Sequence, residues 1–195
     1  MNLPPIVLAS TSPYRRELLQ RLRLPFTVES PGIDEQALAA ESPVATASRL
    51  ALAKAQAVAA RHGGAIVIGS DQVADVDGRA LSKPGGQAAA LEQLQRMQGR
   101  EIVFHTALAV IGPGTLRQVD VVPTAVRFRN LPGAQLEAYL RIDRPYDCAG
   151  AAKIESLGIV LVDSVRADDP TALIGLPLIR LTSMLAACGI RLPAD

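Results

Sequence analysis

Ala65-Ile66-Val67-Ile68-Gly69-Ser70-Asp71-Gln72 is the stretch on which the fold class turns. Its first five residues are uninterruptedly apolar and rich in β-branched side chains, too short for a buried helix. They read as a strand covered on both faces, as at the centre of a mixed sheet. Ser70-Asp71-Gln72 then emerges at the carboxyl end of that strand, the position where open α/β sheets bind ligands.

Upstream, Ile6 to Ala9 is a second apolar strand, followed by the Ser10-Thr11-Ser12 loop and an amphipathic helix from Tyr14 to Leu22. Ser12 suits its N-cap and Pro13 its first position, which puts Arg15 and Arg16 in a first turn that disfavours cations. Phe26 to Ser30 is a weak strand, and Gly32-Ile33-Asp34-Glu35 leads into an acidic loop. Ser42-Pro43 opens a helix whose apolar stripe is Ala47, Leu50, Ala51, Ala55 and Val58. Lys54 falls on that same face, and His62-Gly63-Gly64 ends the helix.

Downstream, Asp77-Gly78 is a hairpin turn returning through Arg79 to Ser82 and reaching Lys83-Pro84. Gln87 to Gln98 is a helix ended by Gly99. Glu101 to Ile111 and Leu116 to Arg129 form a long hairpin about Gly112-Pro113-Gly114, with Pro123 marking a bulge or an edge. Pro132 to Ile142 reads as helix, Ile159 to Val165 as strand, and Pro177 to Ala187 as a last helix capped by Gly189. Strands and helices alternate in the first half and an antiparallel hairpin follows, so the expectation is one α/β domain over residues 1–195, with a mixed sheet and flanking helices.

Composition excludes several functions. With 49% hydrophobic and 20% charged residues the chain is globular. Aromatics at 3%, no Trp and a net charge of +1 supply neither the stacking surface nor the field that polymeric nucleic acid requires. Cys148 and Cys188 cannot build a disulfide framework or a zinc knuckle. No apolar run approaches the ~18 residues of a membrane span, and Met1 to Pro5 carries no basic leader, so a cytoplasmic, untargeted protein with no membrane partner is expected.

His62 and His105 are the only histidines, leaving almost no material for a histidine metal site or a Ser-His-Asp triad. No phosphate-binding glycine loop or dinucleotide fingerprint is present. A polar set remains. The Ser10 to Ser12 hydroxyls, the helix amides, Arg15 and Arg16 make an anion site, or else an ordinary capped helix with solvated arginines. Lys54 on an apolar stripe either snorkels to water or meets a partner. Asp71 either forms a turn or serves as proton acceptor or metal ligand. The chain has only three lysines, Lys54, Lys83 and Lys153, so each is a candidate for a place that wants a compact ammonium. The set fits phosphate chemistry without naming a substrate.

Leu8-Ala9-Ser10-Thr11-Ser12-Pro13-Tyr14-Arg15-Arg16-Glu17-Leu18-Leu19 resembles the N-terminal signature of the Maf family of nucleotide pyrophosphatases. Asp34-Glu35, Ala53-Lys54-Ala55, Gly69-Ser70-Asp71-Gln72-Val73, Lys83-Pro84, Cys148-Ala149-Gly150 and Ile174-Gly175-Leu176-Pro177-Leu178 resemble further family motifs, in family order, across nearly the whole chain. The resemblance implies an inosine-triphosphate-pyrophosphatase-like fold with two lobes around a cleft. It also implies a divalent cation such as Mg2+ or Mn2+, a homodimer in some members, and hydrolysis of a nucleoside triphosphate to monophosphate and pyrophosphate. By position, Asp71 would accept the proton, Glu35 would join it as a metal or water-positioning carboxylate, and Ser10, Arg15, Lys54 and Lys83 would grip the phosphates.

Three positions depart from the commonest family pattern. Tyr14, Gln72 and Glu155 stand where the dTTP and UTP branch has Arg, Thr and Gln, and all three resemble the branch acting on 7-methyl-GTP. Chemistry agrees, because guanine presents N1-H and N2-H2 donors along one edge and a carboxylate is acceptor-only. Methylation at N7 makes the purine cationic, which favours both Glu155 and an aromatic face. Glu155 is otherwise an exposed partner of Lys153. The remaining readings are a dTTP and UTP hydrolase of the same family, and a regulator of growth or division that binds nucleotide without turning it over.

Overall fold

Local signals lay down most of the elements. The computed structural model describes residues 4–81 and 83–193, so Met1 to Leu3 and the end of the returning hairpin arm at Ser82 lie outside the described residues. Strand β1 is Ile6–Ala9, and α1 is Pro13–Gln20 with Ser12 as N-cap accepting from the Arg15 amide at 3.4 Å. Strand β2 is Thr27–Glu29, and α2 is Pro43–Ala59 with Ser42 as N-cap. Strand β3 is Ile66–Val76 and β4 is Arg79–Leu81. Asp77 and Gly78 both take positive φ, 56° and 78°, as a two-residue hairpin turn demands. Then follow α3 at Gln87–Met97, β5 at Glu101–Ile111, β6 at Arg117–Phe128, α4 at Gly133–Asp143, β7 at Val162–Ala167 and α5 at Leu178–Ala187.

The sheet order is β2-β1-β3-β5-β6-β7, with β4 paired to β3. β2, β1 and the first part of β3 are parallel, whereas β3, β5, β6 and β7 pair antiparallel. The expected mixed sheet with flanking helices is therefore present. Several boundaries differ from the sequence reading. α1 stops two residues early, and α2 ends at an Ala60 cap in right-handed helical conformation rather than at Gly63-Gly64. Ile159 to Leu161 belong to a 3-10 turn, Leu157–Leu161, that delays β7. Pro123 marks an edge and not a bulge, since β7 pairs with β6 only from Thr124 on and the register shift falls at Arg127 and Phe128.

The main correction concerns β3. Ser70-Asp71-Gln72 does not leave the strand. β3 runs eleven residues, paired with β5 from Val67 to Asp75 without a break, so Asp71 lies in mid-strand. Only the parallel part of the sheet ends there, because β1 stops at Ala9 opposite Gly69. Polar residues after an apolar run mimic a strand exit, and the pairing that carries the strand onward, from Asp71 with Ala107 to Asp75 with Val103, comes from a strand far along the chain.

β3 and β5 consequently run through two lobes. In the first, α1 and α5 pack Leu18, Leu19, Leu181 and Leu185 on Ile66, Ile68 and Leu108. The opposite face takes Ala47, Ala51, Ala55 and Val58 of α2 against Val67 and Ala109. In the second, α3 and α4 bury Leu94, Met97, Leu136 and Leu140 with Val76, Ile102, Phe104 and Phe128. Among the described residues no helix is long and apolar enough to cross a membrane.

Candidate active site

Between the lobes lies a cleft of about 860 Å³, within the range of small-ligand sites. Nine of the residues singled out from the sequence for phosphate, metal or base line it: Ser10, Tyr14, Arg15, Glu35, Lys54, Asp71, Gln72, Lys83 and Glu155. Arg16 does not, and is exposed outside the cleft.

Gly69 explains how the cleft floor forms. A Cβ there would lie 2.3 Å from the Ala51 carbonyl oxygen and 2.8 Å from the Ala55 amide nitrogen, so only glycine lets α2 lie this close on β3. That approach carries Lys54 across to Asp71. Lys54 does not snorkel: it is 4% exposed, and its Nζ stands 2.7 Å from Asp71 Oδ1 and 2.8 Å from Glu35 Oε1. Asp71 is itself buried, and the ammonium compensates a carboxylate that would otherwise be desolvated alone, while Glu35 reaches the same ammonium from the exposed side. Lys83 approaches Glu35 Oε2 at 3.7 Å from the exposed rim. Burial alone would raise the Glu35 carboxyl. The Lys54 hydrogen bond and charge, with Lys83 and Arg15 behind, outweigh it and hold the group below the ordinary carboxylate value.

The α1 end of the cleft is built from hydroxyls and amides. Ser10 is buried and its Oγ accepts from the Ser12 amide at 3.1 Å. Arg15 donates through Nε to the Gly175 carbonyl at 2.8 Å, which fixes its guanidinium against the cleft wall. Burial lowers its pKa below the ordinary guanidinium value, opposed by the charges of Asp71 and Glu35. With no acid in the first turn of α1, this end is electropositive and open to an anion.

Beside Arg15, Tyr14 of the same first turn faces another partner: the Lys153 ammonium sits 5.0 Å from the centroid of the Tyr14 ring. Glu155 lies on the rim, and its carboxyl is raised mainly by burial, with Asp143 and Asp147 adding to the effect against Lys153. This corner accepts a cation, since an aromatic face and several carboxylates converge on it. Gln72 is placed differently from a base reader. Its amide nitrogen donates to the Ala172 and Leu173 carbonyls at 3.0 and 2.9 Å and to Thr106 Oγ1 at 2.9 Å, so its donors are consumed by the wall.

Sequence reading missed the residues that hold the walls. Ser70 Oγ lies 2.8 and 2.9 Å from the Ala107 and Gly175 carbonyls. Asp169 is buried and accepts from the Ile179 and Arg180 amides at 2.7 and 3.2 Å, capping α5, and from Thr171. Its position nine residues before the first residue of the helix hides it from any local capping pattern. Glu41 and Arg49 form a two-pronged pair beneath the Glu35 loop, both bonds 2.7 Å.

Among the described residues Glu35 and Asp71 are the only carboxylates on Lys54, and no cluster of three His, Cys, Asp or Glu side chains that could hold a metal ion occurs. Two hard oxygen donors beside an anion-binding wall fit a Mg2+-like cation, which takes one or two carboxylates and fills its sphere from phosphate and water. They do not fit a closed all-protein site.

The family profile described as Maf-like protein matches residues 5–188. A curated 7-methyl-GTP pyrophosphatase from Paraburkholderia xenovorans (strain LB400) is 59% identical over 195 residues, covering 97% of this chain and 95% of that one. Another, from Albidiferax ferrireducens, is 56% identical over 187 residues, covering 95% and 94% respectively. Among solved structures, a HAM1 protein from Coxiella burnetii aligns at TM-score 0.47 and 16% identity, over 67% of this chain and 75% of that chain.

Proposed function

Because the chain belongs to the Maf family, we propose that it hydrolyses 7-methyl-GTP to 7-methyl-GMP and pyrophosphate in the cleft between its lobes. The carrying observation is the buried Lys54 ammonium shared by Asp71 and Glu35 on the floor of a cleft large enough for a nucleotide.

In this reading water attacks the α-phosphorus. Its oxygen forms the new P–O bond, the bond from the α-phosphorus to the bridging oxygen breaks, and pyrophosphate leaves. Asp71, paired with the Lys54 ammonium, accepts the water proton at a carboxylate oxygen. Ser10, Arg15 and the amides at the start of α1 bind phosphate oxygens, and Lys54 and Lys83 offset the charge that builds on the leaving group. A divalent cation, held by Glu35 and Asp71, would neutralise triphosphate charge.

Tyr14 and Glu155 take the base. Glu155 accepts from guanine N1-H and N2-H2, and the cationic methylated ring suits the same corner that attracts Lys153. Gln72 contributes by holding the Ala172–Ile174 turn that forms the facing wall.

The test is pyrophosphate release with Mg2+ or Mn2+ across 7-methyl-GTP, GTP, dTTP and UTP. The highest kcat/KM is expected for 7-methyl-GTP. Higher values for dTTP or UTP would reassign the substrate, and binding without turnover of any of the four would make the protein a nucleotide-binding regulator.

A further inference from the structure

Glu35 sits in residues 30–42, a connection between β2 and α2 with no helix or strand of its own. Two kinds of contact keep its carboxylate over the cleft. The first is ionic, to Lys54 at 2.8 Å and Lys83 at 3.7 Å. Both lysines line the cleft, where on the proposed reading an incoming triphosphate competes for them, so this hold weakens as substrate binds. The second comes from below and does not involve phosphate ligands. Arg49 on α2 donates through Nη2 to the carbonyl of Gln36, the residue next to Glu35, at 3.0 Å. The same guanidinium grips Glu41 through Nε and Nη2, both at 2.7 Å. Glu41 in turn accepts from the Leu38 amide at 3.2 Å and the Thr46 hydroxyl at 2.9 Å.

One arginine therefore ties the loop to the helix that also carries Lys54, on both sides of the stretch from Gln36 to Glu41. A planar, five-donor fork can satisfy two carboxylate oxygens and a carbonyl at once, and an ammonium cannot reproduce that geometry. We propose that Arg49, through Glu41 and the Gln36 carbonyl, is a positioning residue that keeps Glu35 in place while Lys54 and Lys83 engage the triphosphate. The proposal rests on Glu35 taking part in hydrolysis.

Arg49 does not line the cleft, so its loss reaches the chemistry only through what it holds. A displacement of a reacting or orienting group by about 1 Å lowers rates by up to ~100-fold. Arg49→Ala is expected to lower kcat on 7-methyl-GTP by at least tenfold, with KM changed less than threefold. Arg49→Lys, which keeps the charge and loses the fork, is expected to fall between the two.

A double-mutant cycle with Glu35→Gln decides the matter. If Arg49 acts by placing the Glu35 carboxylate, adding Arg49→Ala to Glu35→Gln costs little further kcat, because there is no longer a carboxylate to misplace. Equal cost of Arg49→Ala in both backgrounds would overturn the positioning role, as would wild-type kcat in Arg49→Ala. Should Arg49→Ala fail to fold, the same cycle run with Arg49→Lys and with Glu41→Gln carries the test, and additivity there overturns it equally. A Glu35→Gln enzyme with wild-type turnover would instead remove Glu35 from the mechanism, an outcome read from that single variant alone.

Discussion

Gly69 and Ala51 touch: a Cβ on the glycine would lie 2.3 Å from the Ala51 carbonyl oxygen. Because Lys54 is three residues beyond Ala51 and Asp71 two beyond Gly69, this backbone contact sets the separation of the central ion pair. Gly69→Ala has nowhere to place its methyl except by pushing α2 off β3. A loss of about 1 to 3 kcal/mol in unfolding free energy is expected, together with at least a tenfold drop in turnover as Lys54 retreats from Asp71. Denaturant unfolding and pyrophosphate release measure the two, and wild-type values for both would show that the helix yields without consequence.

Asp71→Asn keeps the shape of the side chain and removes its ability to accept a proton. Turnover is expected to fall ~100-fold or more, while calorimetric binding of 7-methyl-GTP persists, because Arg15, Lys83 and the α1 amides are untouched. Near-normal hydrolysis in this variant would take Asp71 out of the chemistry.

Gln72 and Glu155 separate two ways of shaping selectivity. Glu155→Gln exchanges an acceptor oxygen for a donor facing the guanine donors, a mismatch of ~1 to 3 kcal/mol. The kcat/KM for 7-methyl-GTP should drop roughly tenfold or more while dTTP and UTP are spared. Gln72→Thr instead deletes the amide that donates to Ala172 and Leu173, loosening a wall common to all substrates. It should shift kcat/KM for all four nucleotides by similar factors and lower stability by about 1 to 2 kcal/mol. If Gln72→Thr alone reversed the substrate order, direct base contact by Gln72 would be restored.

Arg49 hydrogen bonding, opposed in part by burial and assisted by Leu38 and Thr46, holds the Glu41 carboxyl at about 2 instead of 4.5. A depressed carboxyl contributes stability that is complete above its ordinary value and disappears as pH falls through the folded one. The stability advantage of wild type over Glu41→Gln should therefore be constant from neutral pH down to about 4.5 and shrink toward about 2. Urea unfolding of the two proteins at several pH values measures it, and an advantage that stays flat across that window would mean the carboxylate is not the source.

What the sequence made legible was whatever is encoded within a few residues. Ser12-Pro13, Ser42-Pro43 and Asp77-Gly78 place two helix starts and a hairpin turn, because capping and positive φ are local demands. The nine candidate site residues met in one cleft because ordered motifs carried them. The continuation of β3 through Asp71 was not legible, since its partner strand β5 lies far along the chain and Ser70-Asp71-Gln72 looks like an exit. Asp169, Ser70 and the Glu41–Arg49 pair were missed for the same reason: each acts on backbone groups that only tertiary packing brings near. Lys153 was one of three lysine candidates, with no phosphate-binding place given to it, and only the folded chain shows it over Tyr14.

The unbroken register between β3 and β5 has a consequence for how such a catalyst diversifies. Asp71 rides on a ribbon stitched to its neighbour both before and after it, and Lys54 on a helix that leans directly on that ribbon. Tyr14, Glu155 and the Ala172–Ile174 turn belong to the first turn of a helix and to irregular chain at the periphery. On the proposed reading, the proton acceptor and its ammonium are anchored in the woven part of the molecule and the base-facing groups in its fringe, so drift in the fringe can retune which base is admitted without moving that pair.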